Sequence, residues 1–127
     1  MTKQAKNYQR LQHIVEYCEK IKVAAEVFNN SYDTFADDKN YQARDVCSFY
    51  ILQIGELVGG LTDDFKAENS HIPWRAIKGM RNVVVHKYGE VDMETLWDAL
   101  TNDLPKLNAD CKTILENNHR QRIYNPQ

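Results

Sequence analysis

A chain of 127 residues with 43% hydrophobic residues, 27% charged residues and a formal net charge of −2 has the make-up of one soluble globular domain with one core. The apolar and aromatic content excludes intrinsic disorder, and no apolar run approaches the ~20 residues needed to cross a bilayer. Met1 to Arg10 is polar, with no apolar signal segment, so the expected location is the cytoplasm, without membrane association.

Helical periodicity dominates the chain. Leu11, Ile14, Val15, Cys18, Ile21, Ala25 and Phe28 recur at steps of three and four. This spacing predicts an amphipathic helix from about residue 4 to about residue 30, with Asn29, Asn30 and Ser31 at its end. Residues 31 to 38 read as a polar link, and Asp37 or Asp38 can cap the next helix. That second helix carries Val46, Tyr50, Ile54, Leu57, Val58 and Leu61, with Gly59 and Gly60 near its end and the acidic Thr62-Asp63-Asp64 after it. The third helix starts in Ser70-His71-Ile72-Pro73-Trp74, with Pro73 at the first helical position, where its missing N–H does no harm. It should stop near Gly89. The last helix begins near Asp92 with the stripe Trp97, Leu100, Leu104, Leu107, Cys111, Ile114 and Leu115. Pro105 removes one backbone hydrogen bond and should kink or split it near Asp103. Val83-Val84-Val85 is β-prone but lies inside a helical pattern without turn residues. The expectation is an all-α, antiparallel four-helix-bundle-like domain spanning residues 1 to 127, ending in a loose polar tail from Asn117 to Gln127.

Cys18, Cys47 and Cys111 are far apart, and each lies on an apolar helical stripe. They read as reduced core thiols and not as nucleophiles, because local spacing sets no base beside any of them. There is no CxxC, HExxH or Asp-rich loop, so no metal site and no cofactor is expected.

Residues 69 to 89 contain no Asp or Glu on a chain otherwise rich in acids, and they gather Arg75, Lys78, Arg81, Lys87, His71 and His86. A cationic strip on an acidic protein points to a defined anion site. On a helical wheel Trp74, Ile77, Met80, Val84, Val85 and Tyr88 form one apolar arc. Arg75, Lys78, Gly79, Asn82 and His86 fall on the other side, with Asn82 and His86 one turn apart. Gly79 makes a flat spot on that side, where a ligand could come close. Arg81 projects within the apolar arc, where an unpaired charge is costly. Glu56, the acid in an otherwise apolar stretch of the second helix, is its expected partner. Arg81 and His86 stand about 140° apart on a straight helix. If both serve one phosphate, either the helix loosens near His86 or a second subunit completes the site, as a two-fold dimer would. Tyr88, read alone, is a packing tyrosine with a wetted hydroxyl.

At these residues the chain resembles the HepT-like toxins of the HEPN superfamily, small all-helical ribonucleases. Arg81-x4-His86-x-Tyr88 matches their Arg-x4-His-x-Tyr motif. Ile54-Gly55-Glu56, Ile72-Pro73-Trp74 with Ile77, Gly79, Met80 and Asn82, and Val91-Asp92, Trp97 and Asp103-Leu104-Pro105 resemble its flanking segments. The likeness covers roughly residues 8 to 116.

The resemblance implies a homodimer whose cleft is lined by the motif from both subunits, and RNA cleavage without metal. Arg81 would stabilise the scissile phosphate, His86 would act as general acid or base, and Asn82 would orient the phosphate. Arg75, Lys78 and Lys87 would hold the RNA backbone. The implied partner is a MntA-like nucleotidyltransferase antitoxin that adds AMP to Tyr88, in a type VII-like toxin–antitoxin pair. Two other readings compete with the ribonuclease. One is a non-catalytic partner of a nucleotidyltransferase that only binds nucleotide on the cationic strip. The other is a purely structural helical dimer, in which Arg81 and Glu56 form a stabilising ion pair.

Overall fold

A computed structural model describes residues 1–85 and 92–124. Seven α-helices are defined among them: α1 (Lys3–Ala24), α2 (Tyr32–Ala36), α3 (Tyr41–Gly59), α4 (Asp63–Glu68), α5 (Trp74–Val85), α6 (Met93–Asp98) and α7 (Leu104–Tyr124). The long helices pack around one core. α1 lies against α3 and α7, and α3 lies against α5, which gives the expected all-α bundle. Leu11, Ile14, Cys18 and Ile21 of α1 meet Cys47, Ile51, Ile54 and Val58 of α3 and Leu104, Leu107 and Cys111 of α7 in that core.

The ends of α1 follow from local chemistry. Thr2 caps its start by accepting the Ala5 N–H at 3.0 Å. At its other end the chain tightens into a 3₁₀ turn, Ala25–Phe28, and then enters the left-handed region at Asn29 and Asn30, a conformation that Asn tolerates. The expected link at 31–38 contains the short α2, capped by Ser31, because Phe35 and Phe28 stack edge to face in the core at 5.1 Å and fold the segment inward. Asp37 does cap, but it caps the 3₁₀ turn Asp38–Asn40 that leads into α3.

Three further expectations are corrected. Val46 was placed on the buried stripe of the second helix, yet it is 43% exposed. The buried line of α3 runs through Arg44, Cys47, Ile51, Ile54, Gly55 and Val58, since packing between two helices turns Cys47 inward in its place. The stretch after Gly60 forms α4, with Thr62 accepting the Phe65 N–H as cap and Phe65 buried. Thr62 is held in turn by the buried Asn7, whose Nδ2 donates to Thr62 Oγ1 at 2.9 Å and whose Oδ1 accepts the Thr62 N–H at 3.1 Å. The segment expected to be a loose tail is helical from Asn117 through Tyr124, as the end of α7. Its exposed polar side chains are compatible with a helix that projects into solvent.

Asp92 caps α6 as expected, through the Thr95 N–H. The disruption expected near Asp103 is a π turn, Ala99–Asp103, in which the Leu104 N–H bonds to the Ala99 carbonyl. Pro105 follows it and has no N–H to offer the preceding turn, so the helix absorbs an extra residue there.

All three cysteines are buried and free, and burial pushes each thiol up to about 12. A raised thiol pKa in the fold means stability that is complete below the unfolded thiol value near 9 and is lost as pH rises through the range up to about 12. We therefore expect native thiols to resist alkylation at neutral pH. Resistance to urea should fall between pH 8 and pH 10 by about 3 kcal/mol or more if all three contribute. A flat profile over that range would contradict their burial.

Candidate functional site

α5 begins where Pro73 turns the chain. Its carbonyl accepts the Ile77 N–H at 3.1 Å, which makes Pro73 the cap, one position earlier than the sequence suggested. Trp74 is buried, and its indole N–H donates to the Asn69 carbonyl at 3.1 Å. Ile77 and Val84 are buried and Met80 is partly buried, as the wheel requires. Arg75, Lys78 and Asn82 are exposed. Among the described residues, a Cβ at Gly79 would meet nothing within 4 Å, so none of them covers this side of the helix.

Arg81 sits at the seam between α3 and α5. Its Nε donates to Glu56 Oε1 at 2.8 Å, the partner expected from sequence. The two side chains are 46% and 61% exposed, so the pair stands in water at the edge of the core and is not a buried charge. The stem of Arg81 lies against α3, where a Cβ at Gly55 would come 3.0 Å from Arg81 Cβ. Gly55 thus permits the close helix approach that places the guanidinium at the rim. Among the described residues Glu56 is the ionic partner of Arg81. It engages one edge of a planar fork that carries five N–H donors.

An exposed pair of this kind contributes little to stability. Replacing Glu56 by Gln should change the unfolding free energy by less than about 1 kcal/mol. A loss of several kcal/mol in chemical denaturation would restore the purely structural reading of Arg81.

The structure also joins residues that the wheel had separated. Lys78 was grouped with the polar strip, away from Arg81. Its Cε and Nζ lie 3.7 and 3.9 Å from where a Gly59 Cβ would stand, so it leans over the same seam. From the other side, Arg10 of α1 comes so close to Gly60 that a Cβ there would be 2.6 Å from its Nε. Arg10 was missed because its sequence neighbourhood carries no motif. Both cations thus lie against the C-terminal end of α3, the end that favours positive charge. Arg75 and Asn82 remain on the open face of α5. His86, Lys87 and Tyr88 lie outside the described residues. Among the described residues no group of three His, Cys, Asp or Glu side chains could hold a metal ion, and no helix is long and apolar enough to cross a membrane.

These features define a helical-bundle protein with a cation-bearing seam leading into an Arg-x4-His sequence. Residues 10–114 match the family described as Ribonuclease HepT-like, and the chain belongs to that family. It is 32% identical over 106 residues to the protein named "Putative RNase TTE0752" of Caldanaerobacter subterraneus subsp. tengcongensis, covering 84% of this chain and 91% of that one. It is 32% identical over 97 residues to "Probable ribonuclease HepT" of Thermococcus cleftensis, covering 72% of this chain and 86% of the relative. A Methanocaldococcus jannaschii protein named "Gamma-glutamylcyclotransferase and putative RNase MJ0434" is 33% identical over 116 residues, which span 91% of this chain and 50% of its own length. No solved structure matches.

Proposed function

We propose that this protein is an endoribonuclease of the HepT type that cleaves RNA without a metal ion. The observation that carries this reading is the position of Arg81. Its guanidinium is held at one edge by Glu56 and is half-exposed at the α3–α5 seam, and Asn82, the next residue along the chain, is exposed. Such a fork can pair with two oxygens of a phosphodiester, and Arg75, Lys78 and Lys87 add backbone attraction. His86 takes the proton of the 2′-hydroxyl. The 2′-oxygen attacks phosphorus and the bond to the 5′-oxygen breaks. The products are a 2′,3′-cyclic phosphate and a 5′-hydroxyl, which must receive a proton. Arg81 neutralises charge on the phosphate oxygens, and Asn82 orients them.

On a straight helix Arg81 and His86 diverge by about 140°. A two-fold homodimer resolves this by supplying a second motif to one cleft, with one His86 as base and the other as acid. The partner of this cytoplasmic toxin is a MntA-like nucleotidyltransferase antitoxin, as in a type VII-like pair. The Tyr88 hydroxyl attacks the α-phosphate of ATP, pyrophosphate leaves, and the bound adenylate sets bulk and negative charge beside His86, where it repels RNA.

The test combines two measurements on the full chain. Cleavage of single-stranded RNA should persist in excess EDTA and leave cyclic phosphate ends. After co-expression with a nucleotidyltransferase encoded beside it, intact mass should rise by whole adenylates that map to Tyr88, and cleavage should cease. RNA left whole by the unmodified protein, together with saturable AMP binding lost in Lys78→Ala, would replace this reading with that of a non-catalytic nucleotide-binding subunit.

A further inference from the structure

On the seam away from Arg81, between α1 and the helical stretch from Trp97 to Lys112, the bundle holds a half-open cleft of about 650 Å³. That volume lies in the range of small-ligand sites, roughly 300–1,000 Å³. Ile21, Ala25, Trp97, Leu100, Leu104 and Pro105 supply its apolar wall. The π turn Ala99–Asp103 forms part of that wall, and such turns often mark functional sites. Because Pro105 has no N–H, the turn cannot tighten to close the gap by regular helical bonding. The Thr101 hydroxyl is turned back onto the Trp97 carbonyl at 2.8 Å, so its own polar demand is met within the turn, and Asn30 and Asn108 add polar groups to the lining.

The cleft is also charged in one sense. Lys22 and Lys112 line it, and among the described residues no Asp or Glu does. Lys112 donates to Glu19 at 2.6 Å, and that hydrogen bond, with Asn108 beside it, holds the Glu19 carboxyl below its ordinary range. Glu19 is bonded to Lys112 and also lies within electrostatic reach of Lys22, so the three groups together leave one net positive charge. Lys22 forms no ion pair among the described residues. A largely apolar trough lined by two ammonium groups, with one net positive charge after Glu19 is counted, suits a ligand with an apolar body and a single negative head. Arg75, Lys78, Arg81 and Asn82 are absent from its lining, so the cleft is separate from these described residues of the proposed RNA site.

We propose that this cleft binds a small amphipathic carboxylate, of which a medium-chain fatty acid is the simplest example. The proposal does not depend on the ribonuclease reading. It is tested by calorimetric titration of the full chain with decanoate and with decanol, below their aggregation limits. Decanoate should bind saturably, one per chain, and decanol at least about tenfold more weakly for want of the charged contact. Lys22→Glu should weaken decanoate about tenfold or more, and Ala109→Phe, which places a ring at the exposed rim, should abolish binding. Both positions are exposed, and unchanged melting of the variants is the check that the fold persists. Absence of saturable decanoate binding overturns the proposal. Equal affinity for decanol, or indifference to Lys22→Glu, overturns the assignment of an anion. If decanoate fails to bind and Ala109→Phe changes the oligomeric state, the seam belongs to a second copy of the chain and the proposal falls.

Discussion

Arg81→Ala should lower the rate of RNA cleavage by about 10²–10³-fold, the usual effect of removing one preorganised partner of developing charge. Its fold should remain intact, because the ion pair that it breaks is half in solvent and such pairs contribute at most about 1 kcal/mol. Arg81→Lys should recover only part of the loss, since an ammonium keeps the charge but not the bidentate fork. His86→Ala should cost about 10²–10⁴-fold by removing the proton-transfer group. The measurement is single-turnover cleavage of a labelled RNA, with thermal melting of each variant alongside. Undiminished cleavage in either alanine variant would sink the assigned roles. A collapse of stability in Arg81→Ala would instead return Arg81 to a structural part.

The largest effect on stability is expected far from that seam. Arg44 is buried, and its Nη1 donates to the Phe35 and Asp37 carbonyls, each at 2.6 Å. Its guanidinium also sits over the Phe35 ring at 6.0 Å. It thereby ties the segment around α2 to α3. Hydrogen bonds from a charged donor contribute about 1.5–3 kcal/mol each. Arg44→Ala would leave two carbonyls without their donor and a void beside Phe35. We expect a loss of about 3–5 kcal/mol and a melting temperature lower by more than about 10 °C. A shift within about 3 °C would show that the segment is held by Phe28, Phe35 and Trp97 alone.

Arg44 also shows where sequence reading stops. Nothing in its local pattern separates it from an exposed arginine. Its acceptors are main-chain carbonyls, which carry no residue signature, and they come into reach only when α2 folds back. The same holds for α4, whose six residues are too few to display periodicity, although Thr62 followed by two acids is a capping signal. Glu56, by contrast, was legible as the partner of Arg81, because an acid inside an apolar stretch needs an opposite charge nearby. What could not be read was the exposure of the pair, which decides whether Arg81 stabilises the fold or presents a guanidinium to a ligand.

The sequence by itself determined the helical class, the order of the long helices, the break before Pro105 and the motif that carries the family resemblance. These rest on periodicity, on a missing N–H and on residue spacing, all of which are local along the chain. Only the tertiary structure decided which cations share a seam. Arg81 packs its stem on α3 because Gly55 has no side chain to hold the two helices apart, and the end of Lys78 reaches over Gly59. The cleft beside Lys22 likewise depends on the distance between α1 and the π turn. That distance is set by packing between segments remote in sequence, which the order of residues along one helix does not encode.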